Sequence, residues 1–182
     1  MDEAIFWELV EQSIQESGGD RDKQTDVLYD RLVALPVDDI IDFNDLLMTL
    51  LFKAYTVNLW MAVILVKGFC SNDGFEDFRR WLVSKGKDLF YRVVDNPDTL
   101  VLVHGNFDND DDYPSFEEFD YRIAKAAYET KTGEEEIPSK ISIPSYPSYP
   151  EIGKPPNKQE CLQLFPLIIE RLKVNLDDLL YY

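Results

Sequence analysis

The stretch from Leu59 to Val66 (LWMAVILV) is apolar at every position. A helix of this composition has no polar face to turn toward water, which is typical of a helix buried on all sides at the centre of a bundle. The wider segment from Leu46 to Val66 is long enough to cross a membrane, but Lys53 and Asn58 interrupt it. The triplet Thr56-Val57-Asn58 also looks like a break between two helices. We therefore expect a buried helical hairpin rather than a membrane span.

Apolar residues at helical spacing, separated by glycine, proline and capping residues, recur along the first hundred positions. Gly18-Gly19 is expected to end the first helix, and Asp20 to cap the second. Pro36 is expected to end that helix and begin a third. The residues predicted to face inward on these and the two later helices are Ile5, Phe6, Leu9, Val10, Ile14, Val27, Leu28, Leu32, Leu35, Ile40, Ile41, Leu47, Leu50, Leu51, Phe75, Phe78, Trp81, Leu82, Leu89, Phe90, Val93 and Val94.

The character of the chain changes after His104. Residues 105–113 are a strongly acidic loop, and Ser115 with Glu118 forms a capping box that predicts a further helix. Six prolines between residues 137 and 156 exclude a helix there and favour extended or polyproline II backbone. The chain closes with an apolar segment around Leu164 to Leu172, in which Pro166 implies that the helix starts or kinks. The run Leu100–Val103 is compatible with helix or strand.

These patterns predict an all-α protein in three parts. Residues 1–135 form a compact bundle of six or seven helices, residues 136–157 a proline-rich extended arm, and residues 158–182 a C-terminal helix that packs on the bundle.

The composition restricts the classes of partner. With 35 acidic and 18 basic residues, the chain has a net charge of −17. Phosphate backbones and anionic membrane surfaces would mostly repel such a chain, so we expect neither nucleic acid nor membrane as a partner. The charge favours attraction to a basic protein. The simpler interpretation, that negative charge only keeps the protein soluble, stays open.

The cysteines and the N-terminus indicate a cytoplasmic location. Cys70 and Cys161 form no CxxC or Cys/His cluster, and the opening residues MDEAIFWELV lack the basic start of a signal peptide. No glycine-rich phosphate loop occurs, so we expect no nucleotide cofactor.

A polar turn, Ser71 to Arg79, carries the most interesting candidate chemistry. Asp73 and Glu76 have the types needed for an acid and a base, while Arg79 can hold an anionic group. Trp60 or Trp81 would stand in the wall of such a pocket. The structural alternative is that Asn72 or Asp73 caps a helix, which Gly86 ends, while Arg79 pairs with a nearby carboxylate and the tryptophans pack in the core.

The acidic loop invites a calcium interpretation, because Asp108, Asp110 and Asp112 alternate as in an EF-hand. An EF-hand loop starting at Asp108 requires glycine at its sixth and glutamate at its twelfth position, where this chain has Tyr113 and Phe119. The motif fails, leaving weak cation binding as the alternative to a solvated loop. His104 is the single histidine, so we expect no multi-histidine metal site and no histidine-based triad.

Several of these segments together resemble a bacterial family called domain of unknown function 4240. The resemblance rests on Phe6-Trp7, Leu59-Trp60 with Ala62, the stretch CSNDGFEDFRRWLVSKG from Cys70 to Gly86, Pro97-Asp98 with Leu100, and Tyr128-Glu129 with Gly133. It covers residues 1 to 130. It implies a helical domain and a bacterial cytoplasmic setting, and it implies no activity.

Two functional hypotheses follow from the sequence. The first is a non-enzymatic interaction protein, adaptor or immunity-like, whose acidic surface binds a basic protein. The second is a small-ligand binder or hydrolase-like enzyme centred on the polar turn Ser71–Arg79.

Overall fold

The computed structural model describes residues 1–103, 122–142 and 153–179. All regular secondary structure within these ranges is helical, with ten α-helices and one 3-10 helix. The all-α prediction is therefore confirmed, and seven of the α-helices fall within residues 1–135. The elements are α1 (Glu3–Ser17), α2 (Arg21–Ala34), α3 (Val37–Lys53), α4 (Val57–Lys67), α5 (Asn72–Ser84), α6 (Lys87–Asp95), the 3-10 helix Pro97–Leu102, α7 (Ile123–Thr132), α8 (Lys158–Leu164), α9 (Pro166–Leu172) and α10 (Leu176–Leu179).

The chain divides into two compact units, neither of which is continuous in sequence. The first unit comprises Met1–Phe52, Arg80–Lys87 and Glu118–Ser145. The second comprises Lys53–Arg79, Asp88–Glu117 and Tyr146–Tyr182. The three-part division into a bundle of residues 1–135, an arm of residues 136–157 and a C-terminal part of residues 158–182 stays a prediction.

In the first unit, local signals set the ends of the first two helices. The Asp2 carboxylate accepts from Ile5 N, and Gly18 ends α1 in the left-handed region with φ 63°. Asp20 caps α2 by accepting from Lys23 N, as predicted. Helix α2 then packs against both α1 and α7. One inward assignment is wrong, because Ile5 is 45% exposed while its neighbour Trp7 is buried.

Two long-range polar contacts complete the first unit. The Gln24 side chain is buried and donates through Nε2 to the Ser84 carbonyl oxygen at 2.9 Å. At the end of α5, the Glu11 carboxylate accepts from Lys87 N at 3.0 Å. Gly86 makes this contact sterically feasible, since its φ is 92° and a Cβ there would lie 2.5 Å from Glu11 Oε1.

In the second unit, α4 is buried on nearly every side, as its composition predicts. The break between α3 and α4 lies at the predicted triplet, where the Thr56 hydroxyl accepts from Leu59 N and caps α4. No single helix in the described ranges is long and apolar enough to cross a membrane, although α3 and α4 pass such a test as a bent pair, by length and composition alone.

The C-terminal segment is broken into three short helices, so the prediction of one C-terminal helix is wrong. Asn157 and Glu160 form a capping box at the start of α8. Pro166 then occupies the first turn of α9, where its missing N–H costs no hydrogen bond. The cap of α9 comes from a distant residue: Asp98 accepts from Leu167 N and Ile168 N, both at 2.9 Å. Helix α9 accordingly packs against the 3-10 helix and α4.

The described residues in and next to the predicted arm, 134–142 and 153–157, contain no helix, in agreement with their proline content. The run Leu100–Val103, left open between helix and strand, belongs mostly to the 3-10 helix.

Candidate functional site

The polar turn begins with a serine cap. Ser71 Oγ accepts from Gly74 N at 3.1 Å, so Ser71 satisfies a free N–H of the first turn of α5. The prediction that Asn72 or Asp73 caps this helix is therefore wrong, because α5 begins at Asn72, one position earlier than a cap at Asn72 requires and two earlier than a cap at Asp73. Both residues lie exposed in its first turn. The Asp73 carboxylate there interacts favourably with the helix dipole.

Arg79 is buried, with only 2% of its surface exposed. Its Nε donates to the Phe75 carbonyl oxygen at 3.3 Å. Its guanidinium carbon lies 4.7 Å from the centre of the Tyr55 ring and 5.2 Å from that of Phe75. These distances are typical of cation–π contacts, which gain strength when the cation is removed from water.

Trp60 lies in the same cluster. It is 1% exposed, and its Nε1 donates to the Cys70 carbonyl oxygen at 3.1 Å. Its ring stacks on Phe75 with centroids 4.6 Å apart and lies 5.9 Å from Tyr55. We call Tyr55, Trp60, Phe75 and Arg79 the aromatic–arginine cluster. The sequence identified Trp60 and Arg79 as candidates but did not single out Tyr55, which lies in the break between α3 and α4.

The remaining candidates do not belong to this cluster. Trp81 lies in the part of α5 assigned to the first unit, where it is buried and has Lys85 Nζ 5.6 Å from its ring centre. Asp73 is exposed and Glu76 is partly exposed. Of positions 76 and 79, which are spaced for one side of α5, Arg79 contacts the rings of Tyr55 and Phe75.

Cys70 sits at the edge of the turn as a protonated thiol. Burial raises the pKa of Cys70 to about 12, so the thiolate form needed for a nucleophile is scarce at neutral pH. Its Sγ donates to the Ser71 carbonyl oxygen at 3.5 Å. This environment fits a structural cysteine.

Two shallow clefts are present elsewhere in the described residues. One, of about 290 Å³, lies in the second unit and is lined by Asn58, Lys154, Pro156, Glu160, Gln163 and Leu164. The other, of about 270 Å³, lies in the first unit and is lined by Glu16, Val27, Asp30, Arg31 and Ala34. Both are below the range of about 300–1,000 Å³ that is typical of small-ligand sites.

The negative charge is concentrated in the first three helices. Residues 1–52 contain 13 acidic and 3 basic side chains, and so contribute −10 of the net charge of −17. We call their exposed carboxylates the acidic surface: Asp2, Glu3, Glu8, Glu16, Asp20, Asp22, Asp26, Asp30 and Asp38. In the sequence, the densest acidic run is the loop at Asp108 to Asp112. The larger group in residues 1–52 gives no such local signal, because its carboxylates are spread over three helices.

Three of these carboxylates form a stripe along α2. Asp22, Asp26 and Asp30 are spaced four residues apart, which places them on one side of the helix. Asp22 is paired with Arg21 at 3.2 Å, while Asp26 and Asp30 have no ion pair with any other described residue. The nearby Arg31 is paired with Glu16 and also donates to Gln12 at 2.5 Å. The charge of Arg31 is therefore already paired with the Glu16 carboxylate of α1.

The acidic side of α3 holds a segment from the C-terminal side of α7. Ser139 Oγ donates to Asp45 Oδ1 at 2.6 Å, and Lys140 N donates to Asp45 Oδ2 at 2.8 Å. Lys140 Nζ lies 2.7 Å from Asp42 Oδ1. The hydrogen bond from Lys140, followed by one from the Met1 amino group, lowers the pKa of the Asp42 carboxyl below its ordinary value.

The metal candidates lie outside the described residues. Asp108, Asp110, Asp112 and the single histidine, His104, fall in the range 104–121. Within the ranges that the structure describes, no group of three or more His, Cys, Asp or Glu side chains is arranged to hold a metal ion.

The chain belongs to the family described as Protein of unknown function (DUF4240), whose model matches residues 1–130. The resemblance inferred from the sequence is thus confirmed. No curated protein and no solved structure matches the chain. The family description assigns no activity. Asp98 lies within the matched residues 1–130 and caps α9, which lies after them. Residues inside and outside the family match are therefore in contact within the second unit.

Proposed function

We propose that this member of the DUF4240 family is a non-enzymatic interaction protein that binds a basic protein through the acidic surface of α1–α3. The observation that carries the proposal is the concentration of −10 of the net charge in residues 1–52, with nine carboxylates exposed. A surface of one charge sign attracts a partner of the opposite sign and accelerates its association.

The α2 stripe supports a role beyond solubility. Like charges four residues apart destabilise a helix by about 0.2–0.5 kcal/mol per pair. Asp22, Asp26 and Asp30 form two such pairs, and among the described residues only Asp22 of the three is in an ion pair. Lysine or arginine side chains of a partner would relieve this repulsion. The same number of carboxylates scattered over the surface would give equal solubility without that cost.

The proposed setting is the bacterial cytoplasm, with an adaptor or immunity-like role. Cys70 and Cys161 are free thiols, which fits a reducing compartment. The net charge of −17 disfavours nucleic acid and anionic membranes as partners.

The alternative, a ligand site at the polar turn, has less support. Its cationic member, Arg79, is buried against two aromatic rings and bonded to a backbone carbonyl. Of its two carboxylates, Asp73 is exposed and Glu76 is partly exposed. An anion-binding arginine in an open site would instead present its guanidinium group to the ligand.

The test is binding of a fluorescent lysine-rich peptide at increasing ionic strength. The triple variant Asp22→Asn, Asp26→Asn, Asp30→Asn should bind about tenfold more weakly, since the loss of three exposed interface charges at about 0.5 kcal/mol each weakens binding by about 1.5 kcal/mol. The matched control removes three exposed carboxylates outside the acidic surface, by Glu129→Gln, Glu134→Gln and Glu135→Gln.

The control should bind nearly as well as the wild type. If peptide binding weakened equally in the two triple variants, binding would depend on net charge and not on the acidic surface. Binding that ignores salt would contradict the proposal, because exposed charges are screened at high ionic strength.

A further inference from the structure

The pair Ser139-Lys140 lies on α3 in a non-helical segment, where the Ser139 hydroxyl also accepts from Ile141 N at 3.3 Å. Asp45 accepts from Ser139 Oγ and Lys140 N with its two carboxylate oxygens, at 2.6 and 2.8 Å. Lys140 Nζ donates to Asp42 Oδ1 at 2.7 Å and to the Asp38 carbonyl oxygen at 3.3 Å. All of these residues belong to the first unit.

The three carboxylates that contact this segment differ in how exposed they are. Asp45 is 6% exposed, so its charge needs the two hydrogen bonds that the segment supplies. Asp42 is half-exposed and Asp38 fully exposed, with its carboxylate 3.8 Å from Lys140 Nζ. The site therefore combines a buried acceptor for backbone and hydroxyl groups with an outer pair of carboxylates for an ammonium group.

We propose that Ser139-Lys140 is a tethered internal ligand that covers Asp42 and Asp45 of α3, next to the exposed Asp38 of the acidic surface, and that a basic partner segment displaces it on binding. This inference rests on the proposed function. A partner segment with a lysine and free backbone N–H groups would make the same contacts with Asp38, Asp42 and Asp45. The internal segment thereby sets a threshold that only a partner with several basic residues overcomes.

The contacts of the segment suit displacement. Lys140 is 47% exposed, and an ion pair in such a position is weakened by water and salt. The tether raises the effective concentration of the segment near α3, so a single lysine in solution competes poorly with it. A partner that contacts both the α2 stripe and α3 gains additional binding energy, and so competes well.

The experiment uses the full chain and a fluorescent peptide of four Ser-Lys-Ile repeats, at low salt. The double variant Ser139→Ala, Lys140→Gln removes the hydroxyl and ammonium groups of the internal ligand and leaves only the bond from Lys140 N to Asp45. Lys131→Gln is the matched control, because it removes one positive charge from an exposed lysine of the first unit whose Nζ donates to the Val33 carbonyl oxygen. Circular dichroism and thermal melting check that each variant is folded.

The double variant should bind the peptide about tenfold more tightly than the control, as expected when about nine-tenths of the wild-type molecules are covered. A second measurement needs no substitution. Amide hydrogen exchange at Lys140, whose N–H is bonded to Asp45, should accelerate when the peptide is added to the wild type.

The outcomes separate the two proposals. If the wild type binds the peptide in a salt-dependent manner but the double variant gains nothing over Lys131→Gln, the internal-ligand inference is wrong and the proposed function stands. Peptide binding that leaves Lys140 exchange unchanged overturns the inference in the same way, even where the double variant is misfolded. If neither protein binds the peptide, both proposals fail.

Discussion

The second unit buries charged side chains that the first unit, in its helices α1–α3, mostly leaves in water. Arg79 and Asp98 of the second unit are almost fully covered, and each is bonded to backbone groups or stacked on rings. In the first unit, nine carboxylates of residues 1–52 are exposed. Buried charges without their partners are costly, so those of the second unit have structural roles. The exposed carboxylates remain available to another molecule.

This contrast predicts two kinds of variant. Substitutions in the aromatic–arginine cluster or at Asp98 should lower stability and leave peptide binding by the folded protein unchanged. Substitutions on the acidic surface should alter peptide binding and leave stability nearly unchanged or improved.

The largest effect is expected for Trp60→Ala. Removing a buried tryptophan costs about 3–5 kcal/mol, through lost packing and the cavity left behind. Urea denaturation measures the loss. The milder Trp60→Phe keeps a ring on Phe75 but removes the donor to the Cys70 carbonyl, and should cost about 1–3 kcal/mol. A loss below 1 kcal/mol for Trp60→Ala would contradict a packing role for Trp60.

Arg79→Ala should reduce the free energy of unfolding by about 2–4 kcal/mol, because two cation–π contacts and a backbone hydrogen bond are lost. Arg92→Ala, at an exposed site in the same unit, should stay within about 0.5 kcal/mol of the wild type. If the Arg79→Ala protein were as stable as the wild type, the structural role of Arg79 would be contradicted. The polar turn would then again be a candidate ligand site.

Asp98→Ala removes the cap of α9 and leaves the N–H groups of Leu167 and Ile168 without their acceptor. We expect a loss of about 1–3 kcal/mol. Amide exchange at these two positions should accelerate more than exchange in α4. The control Asp95→Ala changes an exposed carboxylate nearby and should leave α9 protected. Equal protection of α9 in both variants would show that packing alone holds this helix.

In the first unit, removal of charge should have the opposite sign. Asp26 is the middle residue of the α2 stripe, so Asp26→Asn relieves two like-charge pairs and should raise stability by about 0.4–1 kcal/mol at low salt. The gain should vanish at high salt, where exposed charges are screened. Glu129→Gln, outside the stripe, should give no gain. A loss of stability in Asp26→Asn would contradict the view that repulsion within the α2 stripe destabilises the helix.

The smallest effect concerns the pH dependence of Asp42. Because its pKa is lowered in the folded protein, by Lys140 first and by the Met1 amino group second, its contribution to stability is present at neutral pH. That contribution is lost as the pH falls below the ordinary carboxyl value of 3.8 and through the lower folded value. Thermal melting should therefore separate the wild type from Asp42→Asn at pH 7 and bring the two together in acid. A difference that grows on acidification would contradict this sign.

Much of the helical framework could be read from local sequence. Asp20, Gly18 and the break before Val57 lie where their residue types predict, because caps and stops depend on groups within four residues of each other. The burial of α4 was equally predictable, since a helix without a polar face is stable only under cover on all sides.

The errors have physical causes too. Ile5, Phe6 and Trp7 are consecutive apolar residues of α1, and periodicity alone cannot tell which of them the neighbouring helices cover. The structure buries Phe6 and Trp7 and leaves Ile5 45% exposed. Ser71 precedes two other good capping residues, so the start of α5 depended on the turn before it. The single C-terminal helix failed because Pro166 needed a new helix start, and its cap lies about seventy residues earlier in the chain.

By itself, then, the sequence determined the helical class, most helix ends, the burial of α4 and the excess of negative charge, because these depend on composition and on contacts within a helical turn. The tertiary structure alone decided which distant groups meet. It placed Asp98 at the start of α9, Arg79 against the ring of Tyr55, and Ser139-Lys140 on the carboxylates of α3. Such pairs depend on the packing of whole helices, which brings together residues whose separation along the chain carries no local signal.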